Sequence, residues 1–200
     1  YKVASLSFAP CSSYRSIQKF ELKFSQLITQ GFEPCGFASQ ESDLLPLLGA
    51  WGKWLRNQPD DSLVLRIDED DRPLSEHLHD PEIFNDIRAY LSDFYLTVKD
   101  NQDKFRFIFI TGIAKFSKAN LFSGLNNLAD ISLLPEFGTL LGLTEQEIRE
   151  TFSPELERAA NILYPDEARA EERLTLLIRD MTRMYDGFCF DASASTHVFC

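Results

Sequence analysis

The segment Leu63-Val64-Leu65-Arg66-Ile67-Asp68-Glu69-Asp70-Asp71 constrains this chain more than any other, because a mostly apolar run stops abruptly at four carboxylates. A short apolar run bounded by polar residues predicts a buried β-strand over Leu63–Asp68. Open α/β sheets bind ligands in the crevice outside the carboxyl ends of their strands, so these acids stand at a ligand-binding edge. An acidic strand exit is also a common solvated turn, and by itself it marks no site. A second strand must bring a second polar group to the same edge.

That strand is predicted at Phe105-Arg106-Phe107-Ile108-Phe109-Ile110, followed by Thr111-Gly112. The elements between and before the two strands alternate. Lys2–Phe8 has β-rich alternation. Ile17, Phe20, Phe24, Leu27 and Ile28 keep helical spacing, with Gly31 as the expected C′ residue. Leu44, Leu48, Trp51 and Leu55 mark a helix that ends before Pro59. Asp80-Pro81 supplies an N-cap and N1 pair for a long helix with Ile83, Ile87, Leu91, Phe94 and Val98 on one face. Strands alternating with helices predict a parallel α/β sheet, whose central strands are buried on both faces. Arg66 then interrupts such a strand, and alternation puts it on the face of Asp68, where it can pair with that carboxylate.

After about Leu134 the pattern turns helical. Thr144-Glu145-Gln146-Glu147 reads as a capping box, and Ser153-Pro154 opens another helix. A third is expected to open near Asp166 and carry Leu174, Leu177, Ile178, Met181 and Tyr185 on one face, with Gly187 ending it. Phe188–Phe190 and His197–Phe199 look β-like. The expected division is a sheet domain over 1–134 and a helical region over 135–200.

Composition limits the function. The chain is 44% hydrophobic with 17 Phe, enough to bury a real core in 200 residues. A formal net charge of −11 argues against a broad nucleic-acid or anionic-membrane surface, though a local basic site is compatible with it. No apolar run is long enough to span a membrane, and no basic-then-apolar leader opens the chain. Tyr1 in place of Met leads us to expect that the protein starts upstream. Cys11, Cys35, Cys189 and Cys200 are scattered without a C-x-x-C pair, which favours free thiols in a reducing cytoplasm over zinc or disulfides. His77 and His79 lack an evident third ligand and read as surface histidines.

In P-loop NTPases an acidic strand tip of this kind is the Walker B position, where an aspartate holds magnesium and a neighbouring glutamate orients the attacking water. An adjacent strand carries a polar sensor at its tip, a role that suits Thr111, with Gly112 permitting close backbone approach. Lys115 and Lys118 follow. Beside a phosphate crevice they would supply positive charge, and elsewhere they are ordinary surface lysines; both readings stand. The phosphate-cradling G-x-x-x-x-G-K-[ST] is not found in these residues. Gly52-Lys53 fails as a substitute, since its spacing is wrong, Trp54 stands where Ser or Thr should be, and it lies within a helical pattern.

Several segments carry a resemblance to a known family. Asp68-Glu69-Asp70-Asp71-Arg72-Pro73-Leu74 is similar to the D-E-Y-D-x-P-L segment of the bacterial AAA-ATPase-like family. Phe109-Ile110-Thr111-Gly112, Lys115-Phe116-Ser117-Lys118, Leu121-Phe122-Ser123-Gly124-Leu125-Asn126-Asn127-Leu128 and Asp130-Ile131-Ser132 resemble its F-L-T-G-x-x-[RK]-F-S-K…F-S-G-L-N-N-L-x-D-I-S block. Gly142–Ile148 and Tyr185–Phe190 resemble its G-[YL]-T-E-E-E-[LI] and Y-[ND]-G-Y-x-F segments. Asp70 departs from the family tyrosine, and Lys115 stands where arginine is common.

The resemblance implies an α/β fold, here a partial P-loop NTPase parallel sheet without the P-loop strand, followed by a C-terminal helical lid. It implies Asp68 as the magnesium-associated carboxylate, Glu69 as the water-orienting base, Thr111 as the sensor, and Lys115 and Lys118 as ATP-side cations. ATP and Mg2+ are expected as cofactors of the intact protein, with none bound tightly by this chain alone. A nuclease-like domain in the same protein is the expected partner, and association with other chains is open, as is contact with nucleic acid. The P-loop strand is expected to lie between the sensor strand and a last strand near Asp130–Leu133. A different class of function is a non-hydrolysing or degenerate nucleotide-binding module, which Arg66 and the altered acidic segment would mark.

Overall fold

The computed structural model describes residues 1–11, 16–113 and 128–200. The chain divides into two units, Tyr1–Asn127 and Leu128–Cys200. In the first, a three-stranded parallel sheet has the order β1 (Lys2–Ser7), β2 (Leu63–Asp68), β3 (Phe105–Ile110). The register aligns Ala4 with Leu65 and Ser7 with Asp68, and Ile67 with Ile110. The β2–β3 pairing slips between Leu63 and Val64, where Arg106 is the extra residue.

Helices α1 (Ile17–Phe32) and α2 (Leu44–Arg56) connect β1 to β2. The short α3 (Arg72–Ser75) and long α4 (Pro81–Asp100) connect β2 to β3. Parallel crossovers are almost always right-handed, so connections stepping the same way along a sheet put their helices on one face. The burial pattern agrees. Ala4, Leu6, Leu63, Leu65 and Ile67 pack into one core with Phe20, Phe24, Ile28, Trp51, Phe94 and Val98. Phe8, Phe24 and Phe94 meet edge to face, and Trp51 stacks on Phe94 with ring centroids 5.2 Å apart. Asp80 caps α4 by accepting the Ile83 N–H, as its sequence indicates.

The other face of the sheet carries Val3, Val64, Arg66, Asp68, Phe107 and Phe109 by alternation and register. It is not buried there: Phe107 is 57% exposed and Val3 42%. This corrects the expectation that β2 is covered on both faces. Arg66 is exposed and makes no ion pair with Asp68 among the described residues. It interrupts nothing, because the face it occupies is open to water.

Gly31 is likewise not a C′ residue. Helix α1 runs through it to Phe32, and the left-handed residue is Gly36, at φ 91°, after one further 3-10 turn. A side chain at Gly31 would start 2.1 Å from Leu6 Cδ2 and 3.0 Å from the Ser5 carbonyl, so glycine here lets helix and strand touch. His77 is buried, its Nδ1 2.8 Å from the Pro73 carbonyl oxygen, not a surface histidine.

The second unit holds α5 (Glu145–Thr151), α6 (Ser153–Leu163), α7 (Ala170–Tyr185) and an antiparallel pair, β4 (Asp186–Phe188) with β5 (Val198–Phe199). Its core gathers Ile148, Leu156, Ala160, Leu177, Ile178 and Phe199. Thr144 forms the full capping box with Glu147. Helix α7 opens at Ala170, not at Asp166, and Gly187 lies within β4. The expected strand near Asp130–Leu133 does not form. Asp130 Oδ1 accepts the Ser132 N–H at 3.1 Å and its hydroxyl at 2.7 Å, and Leu134 N–H bonds the Ile131 carbonyl. A short acidic side chain that takes its neighbour's amide offers the backbone a turn in place of a ladder. No described helix is long and apolar enough to cross a membrane.

Candidate functional site

Parallel pairing brings the carboxyl ends of β2 and β3 side by side, and the polar groups beyond them interlock. Thr111 N–H continues the ladder to the Ile67 carbonyl at 2.9 Å. Its hydroxyl then donates to Asp68 Oδ1 at 2.5 Å, across 43 residues of sequence. The Glu69 N–H donates to the same oxygen at 3.0 Å. Both hydrogen bonds to this carboxylate fall on Oδ1; among the described residues Oδ2 takes none, and the residue is exposed. Asp68 and Thr111 are therefore one hydrogen-bonded pair on one sheet edge.

Glu69 sits beside them in the left-handed region, at φ 56°. For a residue with a Cβ this conformation costs about 1–2 kcal/mol. Its Oε2 is buried without a hydrogen-bond partner among the described residues, and an orphaned polar atom of this kind calls for an explanation in ligand, water or strain. The Asp70 carboxylate raises the hydroxyl pKa of the fully buried Tyr95 further, on top of the larger effect of burial.

The run of acids in the sequence does not show what Asp70 and Asp71 do. The Asp70 N–H donates to the Thr111 carbonyl at 3.0 Å. Asp71 is 7% exposed, and its Oδ1 accepts the Ile113 N–H at 3.1 Å. A Cβ on Gly112 would lie 2.1 Å from Asp70 Oδ1 and 2.7 Å from Asp71 Oδ1. The close approach anticipated for Gly112 is thus to the acidic loop. Glycine after a strand-end threonine was the one signal for it. Lys115 and Lys118 lie outside the described residues.

The donors present suit a hard cation at one point. Asp68 offers a free carboxylate oxygen beside a hydroxyl, the oxygen chemistry that Mg2+ selects. Among the described residues no group of three or more His, Cys, Asp and Glu side chains is arranged to hold a metal alone. Magnesium usually relies on one or two carboxylates, with water and substrate phosphates completing its shell, so a single carboxylate fits that mode. An open cleft of about 550 Å3, lined by Gln18, Glu21, Leu22 and Ser42–Pro46, shares no residue with this edge.

The first unit is thus a parallel α/β sheet whose acidic strand tip is hydrogen-bonded to a threonine on the next strand. The chain belongs to the AAA-ATPase-like family, described as predicted AAA-ATPase, whose model matches residues 1–122. It is 35% identical over 142 residues to an uncharacterized protein in the vnfD 5′ region of Azotobacter chroococcum mcd 1. The alignment covers 71% of this chain and 28% of that protein, so the chain spans under a third of this relative's length. No solved structure matches.

Proposed function

We propose that residues 1–127 form the acidic-tip and sensor side of a P-loop ATPase sheet, and that the intact protein binds and hydrolyses ATP with magnesium. The observation that carries this reading is the 2.5 Å hydrogen bond from Thr111 Oγ1 to Asp68 Oδ1 at the ligand-binding edge. Asp68 would hold the cation through its free oxygen, and Thr111 fixes the orientation of that carboxylate. Glu69, adjacent on a strained backbone, orients the attacking water and accepts its proton. Magnesium, when bound with ATP, neutralises the charge of the phosphate oxygens. Lys115 and Lys118 follow Thr111 closely enough in sequence to add positive charge there. The open position of Arg66 supports hydrolysis over a degenerate module, since it leaves the Asp68 carboxylate uncompensated. The second unit serves as a lid whose motion acts on an attached nuclease-like domain.

The test is turnover by the full-length protein. Glu69→Gln is expected to lower kcat by about 10²–10⁴-fold, the span of general acid–base catalysis, while ATP still binds. Turnover unchanged by Glu69→Gln overturns the assignment. The 200-residue chain alone lacks phosphate-cradling amides and a P-loop lysine in its sequence, so it is expected to show no appreciable turnover. Steady phosphate release from it, abolished by Glu69→Gln, would contradict that expectation.

A further inference from the structure

We infer that Asp71 is a positioning residue that latches the exit of β3 to the acidic loop and so holds the Thr111 hydroxyl against Asp68. The functional half of this inference rests on the ATPase reading above; the structural half does not.

The segment Thr111-Gly112-Ile113 leaves the sheet with little packing to place it. Ile113 is 90% exposed, so its side chain anchors nothing. Hydrogen bonds hold its backbone instead: Thr111 N–H to the Ile67 carbonyl, Asp70 N–H to the Thr111 carbonyl, and Ile113 N–H to Asp71 Oδ1. The first two belong to backbone and survive any side-chain change. The third is the only one of these that depends on a side chain. Asp71 is oriented for it from behind. Its carbonyl accepts the N–H and hydroxyl of Ser75, the last residue of α3, and the same hydroxyl lies 3.4 Å from Oδ2. One carboxylate therefore faces α3 with one oxygen and the β3 exit with the other.

Gly112 completes the device. The positions of Asp70 Oδ1 and Asp71 Oδ1 leave no space for a Cβ there. With the backbone fixed on both sides of Gly112, the threonine hydroxyl meets Asp68 Oδ1 at 2.5 Å and lies 3.4 Å from the Ile67 carbonyl oxygen. Losing the Asp71 contact frees the Gly112–Ile113 peptide and leaves the Thr111 backbone on its two backbone hydrogen bonds alone.

The structural readout is amide hydrogen exchange of the 200-residue chain. The Ile113 amide of the unmodified chain is expected to exchange at least about tenfold slower than an unstructured amide, the protection that one hydrogen bond of ordinary net strength provides. Asp71→Ala removes that protection, and Asp71→Asn, which keeps an acceptor oxygen, restores most of it. An unprotected Ile113 amide in the unmodified chain overturns the latch without any variant.

The functional readout is steady-state kinetics of the full-length protein. Asp71→Ala is expected to lower kcat about tenfold with KM for Mg-ATP unchanged, the signature of a transition-state interaction lost through a neighbour. In a Thr111→Ala background the same change has no further effect. Equal, multiplicative losses in both backgrounds would show that Asp71 does not act through Thr111. If the unmodified protein turns over no ATP, the ATPase reading fails, and the exchange result still decides the latch.

Discussion

At the scale of single residues, the strongest departure from local preference is Glu69. Three energies bear on it. The left-handed backbone costs about 1–2 kcal/mol for a side chain with a Cβ. A buried polar atom left unsatisfied costs about 1–3 kcal/mol more. Glycine would remove both, at an entropic cost near 0.5–1 kcal/mol. Glu69→Gly is therefore expected to raise stability, by about 1–4 kcal/mol in denaturant unfolding of the 200-residue chain, while, on the ATPase reading proposed above, abolishing turnover in the intact protein. A destabilised Glu69→Gly chain would show that the loop conformation is not strained. Residues that break local rules tend to be functional, and here the sequence marked the position by its charge alone. Nothing in a run of four acids distinguishes the one with a left-handed backbone, or the one whose carboxylate reaches Ile113. Those facts depend on the second strand arriving 42 residues later.

Among elements, periodicity located the helices and strands well wherever one face is buried. The β2 strand and the start of the α4 helix match their sequence signals to the residue, because a strand-to-acid junction and an Asp-Pro cap are local chemistry. Gly31 misled because a glycine after an apolar helical run signals termination, and only the tertiary contact with Leu6 explains why the helix continues. The β4–β5 pair carries a further device with a pH consequence. The Asp191 carboxylate accepts the Ser193 hydroxyl at 2.6 Å and the amides of Ser193, Ser195 and Thr196 at 2.9, 3.1 and 2.9 Å. The Ser193 hydroxyl first, then these amides and the Cys189 thiol, hold its pKa far below the usual carboxylate range. A pKa lowered in the folded state means that this contribution is present in full above the unfolded value of about 3.9 and is lost as pH falls toward the folded one. The β4–β5 pair is expected to loosen progressively as pH falls below about 4, seen as faster exchange at Val198 and at Cys200, whose N–H bonds the Tyr185 carbonyl. Asp191→Ala should open it at neutral pH. Acid-insensitive exchange at both residues would contradict this.

For the whole molecule, the sequence made the parallel sheet legible but not which face is covered. Three strands in spatial order with right-handed crossovers place α1, α2 and α4 together, leaving Val3, Val64, Phe107 and Phe109 on the other side. Among the described residues β3 pairs only with β2, and no strand lies on its outer edge. A strand with an open edge and apolar side chains on its free face is a template for another chain. In a protein of the relative's length, further residues are available to fill both positions, and the sheet of the ATPase reading needs a strand at that edge. The 200-residue chain studied alone is expected to use a second copy instead. Its net charge of −11 opposes that contact, and salt screens such repulsion over a Debye length of about 10 Å at 0.1 M. Association should therefore strengthen as salt rises, opposite to an interface built on ion pairs. Phe107→Ser removes the most exposed apolar side chain of the face and should weaken association without loss of stability, since that side chain is already largely in water. Sedimentation equilibrium across a salt series checks both expectations. A chain that stays monomeric at high salt and high concentration would show that the edge is closed from within.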